Sequence, residues 1–389
     1  MHRRTILLGG ITAWALGSLG GAKAQTARDE FDALRGSMRR DFTATRDDLE
    51  ARHAALSEEL RRSFEEVRQE IARSWGEATV LPSPKTWVGY SEDQKTRVVV
   101  DYEAGQISVE SVVPAIGAEA LRDELLKALS SDSAALDRKD VLARRQAEKV
   151  DAADIPRPTP PPKGVIRAEL APLVAPGGAN TALPSAQNIV GPQGRPIELS
   201  RLVVPMTDDG RRLNAERVRR NVEVVADHYG LQRSLVAAII KQESDFNPRA
   251  VSPAPAYGLM QLVPRSGGTD AYSEIMGKRA TPTPDLLFRA EDNIKLGATY
   301  LWILLSRQLA SVSDAQSRLW CAISAYNTGS GNVAKAFRGA RFPDAAGAVN
   351  ALPAERVFSN LVANLPFDET RRYLPSVRRH MEAFRSWNK

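Results

Sequence analysis

The chain has 389 residues, 43% hydrophobic and 26% charged, which is room for two or three domains and ample for a buried core. Its 53 basic side chains against 47 acidic ones leave a net charge of +6, short of the dense basic stripe of a nucleic-acid binder, so no nucleic-acid partner is expected. A single cysteine, Cys321, excludes an internal disulfide framework and a cysteine-based zinc site. Four scattered histidines, His2, His53, His228 and His380, do not read as a metal cluster. No metal or cofactor is expected, and the chemistry falls to carboxylates and hydroxyls.

Residues 1–24 combine a charged start (His2-Arg3-Arg4), an apolar run from Ile6 to Leu19 and a small-x-small site at Ala22-Lys23-Ala24. These are the three parts of a secretory signal peptide, and the run is short for a membrane span. The expectation is export to a periplasm, with an uncleaved N-terminal anchor as the alternative. Arg3-Arg4 weakly resembles a twin-arginine signal. No cysteine lies near the cleavage site, so no lipid anchor is expected.

Residues 25–150 are expected to form an α+β accessory domain. From Arg28 to Trp75, apolar residues at spacings of three, four and seven make one helical stripe, including Leu60, Phe64, Val67, Ile71 and Trp75. Gly36 and the polar stretch Thr43 to Asp48 interrupt it, which favours packed helices over a long coiled coil. After Pro82 and Pro84 the period changes to two: Trp87 to Tyr90, Thr96 to Tyr102 and Gln106 to Val113 read as short antiparallel strands, with Glu103-Ala104-Gly105 as a tight turn. One helical stretch follows, from about Ala118 to Val150.

The run Pro156-Arg157-Pro158-Thr159-Pro160-Pro161-Pro162 reads as a stiff extended spacer. Gly and Pro stay frequent to Pro196, so residues 151–200 are expected to be a linker. Residues 201–389 read as a mainly helical domain: Asn214 to Tyr229 closed by Gly230, a buried helix from Leu235 to Lys241, then Glu291 to Leu309, Arg318 to Tyr326 and Glu369 to Trp387.

The chemistry sits where the buried helix ends, at Lys241-Gln242-Glu243-Ser244-Asp245-Phe246-Asn247-Pro248. Glu243 lies three and four residues after Ile240 and Ile239, on or near the apolar face. Desolvation and the negative end of the helix dipole both raise a carboxyl pKa there, as a general acid working near neutral pH requires. The alternative on the same residues is a helix-terminal Glu that caps the helix or pairs with Arg249. Asp245 reads as an exposed turn residue.

The string from Glu243 to Pro248, then Ser252, then Ala256-Tyr257-Gly258-Leu259-Met260-Gln261 resembles the signature of lytic transglycosylases, peptidoglycan-cleaving enzymes with a goose-type, lysozyme-like fold. Glu291-Asp292-Asn293-Ile294 with Leu296-Gly297, Ala325-Tyr326-Asn327 with Gly329 and Gly331, and Glu369-Thr370-Arg371-Arg372-Tyr373 follow in family order. The first domain is similar, through Trp75-Gly76 and Val98 to Glu110, to the N-terminal domain of the membrane-bound lytic transglycosylase C enzymes, whose lipid-bearing cysteine this chain lacks. The resemblance implies cleavage of the β-1,4 bond between N-acetylmuramic acid and N-acetylglucosamine without water, leaving a 1,6-anhydro ring. Glu243 is implied as acid and then base. Tyr326, Asn327 and Tyr373 are implied around it, Met260 and Gln261 on the cleft wall, and Ser252 near the muramic sugar. The implied partner is the glycan strand of peptidoglycan. A lysozyme-type hydrolase of the same bond and a non-catalytic peptidoglycan-binding protein are the alternatives.

Overall fold

A computed structural model of the chain describes residue 55 and residues 58–152, 169–253 and 256–389. The expected signal segment, nearly all of the helical stripe before residue 58 and the proline run at 156–162 lie outside these. The stripe continues as helix α1 (58–75), whose Leu60, Val67, Ile71 and Trp75 are buried at the expected spacing while the charged positions between them face outward.

Three strands follow where the period changes to two: β1 (Thr86–Tyr90), β2 (Thr96–Asp101) and β3 (Gln106–Ser111). The expected long helix after them is three: α2 (Ala118–Ser130), α3 (Ser133–Lys139) and α4 (Val141–Ala152). Two aspartates make the breaks. Asp132 accepts from the Ala135 N–H at 2.7 Å and Asp140 from the Ala143 N–H at 2.9 Å, each starting a new helix with its own carboxylate. The expected linker departs further. Its second half holds the short helix α5 (Gly178–Thr181) and two strands, β4 (Pro184–Val190) and β5 (Pro196–Pro205), and β5 crosses the expected boundary at residue 201. The prolines there mark strand starts and ends, which a linker reading mistakes for continuous coil. The result is one antiparallel sheet in the order β1-β2-β3-β5-β4.

Register gives the sheet two different faces. Trp87 opposes Val100, which opposes Ile107, which opposes Val204; Val98, Val109 and Leu202 continue this face. It packs on Leu121, Leu125 and Leu129 of α2. On the other face Arg97, Glu110 and Arg201 stand opposite one another on β2, β3 and β5. Arg97 Nε donates to Glu110 Oε2 at 2.8 Å, and Arg201 Nε lies 2.8 Å from Glu110 Oε1. The Arg97 guanidinium also sits 3.9 Å from the centre of the Trp75 ring, which pins α1 to the sheet.

The helical half comprises α6 (Asp208–Tyr229), α7 (Arg233–Ser244), α8 (Thr269–Met276), α9 (Pro284–Leu287), α10 (Ala290–Ile303), α11 (Ala315–Thr328), α12 (Ser330–Ala336), α13 (Phe342–Asn350), α14 (Ala354–Asn364) and α15 (Asp368–Ala383). Helix α7 is its hub. Leu235 to Ile240 are all within 1% of full burial, in a core shared with α6, α10, α11, α14 and α15. Cys321 lies in this core, where burial pushes its thiol up to about 12.

The described residues from 58 onward cluster as one compact unit. A third apolar cluster accounts for this, because it joins Ile71 and Trp75 of α1, Val88 of β1 and Leu142 of α4 to Tyr257, Leu262, Leu287 and Leu296 of the helical half. Polar ties reinforce it. Arg249, largely buried, donates to Asp137 of α3 at 2.7 Å and to Glu169 at 2.6 Å, and Asn247 donates to the Pro84 carbonyl at 3.1 Å.

Removing Glu110 leaves the buried Arg97 guanidinium, and the half-buried Arg201 beside it, without their shared carboxylate. Glu110→Ala is expected to cost about 3–5 kcal/mol, read as a lower urea midpoint. A midpoint at the wild-type value would mean that the ladder adds nothing to stability.

Candidate active site

Helix α7 runs three residues further than its apolar run indicates, so Glu243 is still helical and Asp245 is the cap. Asp245 and Phe246 then take successive left-handed conformations, φ 52° and 62°. Each is strained for a side-chain-bearing residue. The strain is held by anchoring on both sides: Asp245 accepts from Lys241 Nζ at 2.5 Å, and the buried Phe246 ring meets Phe384 edge-on at 5.6 Å. These two residues stop the helix before Pro248 is reached.

The chain then loops back beneath the helix end. Ser244 Oγ donates to the Leu259 carbonyl at 2.8 Å. The wholly buried Asn293 of α10 uses its amide on both sides, accepting from the Met260 N–H at 2.8 Å and donating to the carbonyls of Tyr257 and Leu287, each at 2.8 Å. A buried loop must have such partners for its backbone groups. Gly258 has φ 73°, and a Cβ there would lie 2.2 Å from the Leu287 carbonyl oxygen, so the turn requires glycine. Asn293→Ala strands the Met260 N–H and the Leu287 carbonyl and takes one of two donors from the Tyr257 carbonyl. It is expected to cost more than about 2 kcal/mol, with a fall in thermal midpoint larger than that of an exposed Asn364→Ala control.

Glu243 is half-buried, and its carboxyl lies deep enough for desolvation to dominate its pKa. Tyr373 of α15 donates its hydroxyl to Glu243 Oε1 at 2.6 Å. Burial pushes the Glu243 carboxyl up to about 7; the Tyr373 hydrogen bond opposes this, Glu369 adds to it, and Lys85 of the sheet half opposes it. Burial and the Glu243 charge together push the Tyr373 and Tyr326 phenols well above their ordinary value, so both stay protonated. Arg249 is engaged with Asp137 and Glu169 of the other half, which removes the simple helix-end pairing with Glu243.

The structure brings Glu243, Tyr373, Tyr326 and the Met260 carbonyl together. Tyr326 donates to the Met260 carbonyl at 2.8 Å. The Met260 side chain differs from its expected place on a cleft wall: it is fully buried, with its sulfur filling the space that a side chain at Gly297 would need. Gln261 follows with φ 45°, its Nε2 donating to the Gly258 carbonyl at 3.0 Å. The amide oxygens of Gln261 and Asn327 are buried and have no protein partner, which leaves two acceptors for a ligand or water. Ser252 lies on the adjoining loop, where its hydroxyl accepts from the Ala256 N–H at 3.3 Å. Lys85 carried no sequence signal, since it lies 158 positions before Glu243 in a segment that reads as a strand edge. Asn293 was visible within its motif, but its role as a loop clamp needed the fold.

A carboxyl with its folded pKa above its unfolded value favours folding while it is protonated. Below the ordinary value of 4.5 both states hold the proton. Between there and about 7 the unfolded chain releases it first, so stability falls as pH rises, by up to about 3 kcal/mol above pH 7. Glu243→Gln is therefore expected to raise the thermal midpoint at pH 8 and leave it nearly unchanged at pH 4. Equal shifts at both pH values would contradict a buried, proton-holding carboxyl.

Comparison with known proteins adds the family. Residues 220–347 match the transglycosylase SLT domain, and residues 53–143 match the N-terminal domain of membrane-bound lytic murein transglycosylase C. Membrane-bound lytic murein transglycosylases C from Yersinia pestis (strain Pestoides F) and Yersinia pseudotuberculosis (serotype O:1b) are each 29% identical over 320 residues, 80% of this chain and 86% of theirs. Among solved structures, an inactive mutant of lytic transglycosylase Slt from Pseudomonas aeruginosa matches at 28% identity and TM-score 0.33, over 44% of this chain and 24% of that one. The 70 kDa soluble lytic transglycosylase from Escherichia coli matches at 24% identity and TM-score 0.34, over 43% and 24%. The chain thus carries a transglycosylase SLT domain across its helical half and, before it, a domain matching the N-terminal domain of membrane-bound lytic murein transglycosylase C, the domain pair of a lyase acting on peptidoglycan.

Proposed function

We propose that this protein cleaves the β-1,4 bond between N-acetylmuramic acid and N-acetylglucosamine without adding water, with Glu243 acting first as acid and then as base. The observation that carries this reading is the enclosed Glu243 carboxyl, held up to about 7 and bound by the Tyr373 hydroxyl at 2.6 Å. At that value it holds a proton to give to the leaving glycosidic oxygen near neutral pH. Once ionised it is stabilised by the same phenol, and it accepts the proton of the muramic C6 hydroxyl. That hydroxyl attacks C1 and closes the 1,6-anhydro ring. Because the nucleophile belongs to the substrate, no second carboxylate is needed to activate water. Asp245, next but one in the chain, is tied to Lys241 and is not free for that part.

Tyr326 lies close enough to feel the Glu243 charge, and the free amide oxygen of Asn327, next to it in the chain, is suited to an acetamido N–H. Gln261 offers a second such acceptor, and Ser252 stands on the neighbouring loop. The site of action that goes with this substrate is the cell envelope, in the periplasm, in keeping with relatives that are named membrane-bound.

Glu243→Gln is expected to lower the rate of muropeptide release at least about 10²-fold. Mass spectrometry of wild-type products should show muramic ends one water lighter than reducing ends; reducing ends throughout would replace this reading with a lysozyme-type hydrolase. Tyr373→Phe removes the bond that favours the carboxylate, so the Glu243 pKa rises above about 7. The alkaline limb of its pH–rate profile should move to higher pH while the maximum rate falls. A drop in rate with an unmoved limb would assign Tyr373 to sugar binding alone.

A further inference from the structure

Beside Tyr373 a pocket of about 540 Å³ opens between the two halves of the chain. One wall is Lys85 and Glu103 of the sheet half, ion-paired at 2.6 Å; the floor is Lys241 and Asp245 at the end of α7, paired at 2.5 Å. These four charges satisfy one another. The remaining wall is the α15 stripe on which Tyr373 stands.

On that stripe Arg372 and Arg379 are seven residues apart, so they share a face. Both are exposed, and neither makes a hydrogen bond or ion pair among the described residues. Ser376 lies between them, within 3.3 Å of His380 Nε2. Burial pushes His380 down to about 4, with Lys241, Lys85 and Arg379 adding to the effect, so it is neutral at pH 7 and does not oppose an anion or attract one. Glu369 is the one lining carboxylate without an ion pair. Two unspent guanidiniums therefore face a cavity of a size that takes a short peptide.

A glycan strand is neutral wherever its lactyl groups are amide-linked to peptides. The negative charge of peptidoglycan then lies on the peptide stems. Guanidinium forks suit carboxylates in two-point contact. We propose that this pocket is the subsite for the peptide stem on muramic acid, with Arg372 and Arg379 binding its carboxylates. The proposal rests on the reading of Glu243 as the glycan-cleaving acid, which places the muramic sugar, and hence its stem, beside Tyr373. Part of the subsite then comes from the sheet half, through the Lys85–Glu103 wall.

The test compares affinities in the non-cleaving background. Glu243→Gln protein, with and without Arg372→Gln and Arg379→Gln, is titrated calorimetrically with soluble glycan chains bearing stems. The same chains are then used after an amidase has removed the stems. The amidase leaves a lactyl carboxylate on each muramic residue, so the stripped chains stay anionic and control for charge alone. The arginine substitutions should weaken binding of stem-bearing chains tenfold or more and leave the stripped chains unaffected. Unchanged affinity for stem-bearing chains, or an equal loss on both ligands, would overturn the proposal. Continued cleavage by the Glu243→Gln protein would count against the catalytic assignment instead, since the affinity ratio between the two ligands is read in either case.

Discussion

Helix α7 is apolar on every side from Leu235 to Ile240, and it can be buried only if its C-terminal end is also closed off from water. That requirement governs the rest of the helical half. The carbonyls at a helix end need partners or solvent, and a loop laid against them brings further backbone groups that need partners of their own. Ser244, Asn293 and Gly258 meet these needs: a hydroxyl on one carbonyl, an amide serving both strands of the loop, and a glycine where a Cβ would strike α10's approach. The carboxyl of Glu243 is enclosed as a consequence. Its raised pKa follows from the same closure that completes the core, with the Tyr373 phenol as its direct partner.

The sheet half is part of this closure. Tyr257, at the loop beneath α7, shares an apolar cluster with Trp75, Val88 and Leu142, and Asn247 reaches the Pro84 carbonyl just before Lys85. Lys85 is thereby fixed close enough to act on Glu243, Asp245 and His380. A charge delivered from 158 positions away changes the acid's environment because both halves are packed on one core. A flexibly attached domain would average that charge over solvent.

The sequence made some of this legible for identifiable reasons. The stripe through Leu60, Val67, Ile71 and Trp75, the three strands and the apolar run of α7 each carry a period that one face of an element imposes. The breaks between α2, α3 and α4 are hidden because leucines recur on both sides of Asp132 and Asp140, at Leu125, Leu129, Leu136 and Leu142, and read as one continuous stripe. Strands β4 and β5 are hidden because Pro184, Pro196 and Pro205 stand at strand limits and Pro192 in the turn between them, and composition alone cannot separate a hairpin with proline ends from a spacer. The motifs brought Glu243, Tyr326 and Tyr373 to attention, but the inward turn of Met260 depends on Gly297, 37 residues later, and has no local signal.

Enclosing Glu243 costs stability as pH rises towards 7, and the fold limits that cost. The phenol of Tyr373 donates to the carboxylate form, so it restrains the rise in pKa that burial alone would produce. Lys85 acts in the same sense, and Glu369 in the opposite one. Desolvation without the phenol and Lys85 would hold the carboxyl protonated to still higher pH. The engagement of Arg249 with Asp137 and Glu169 serves the union of the two halves.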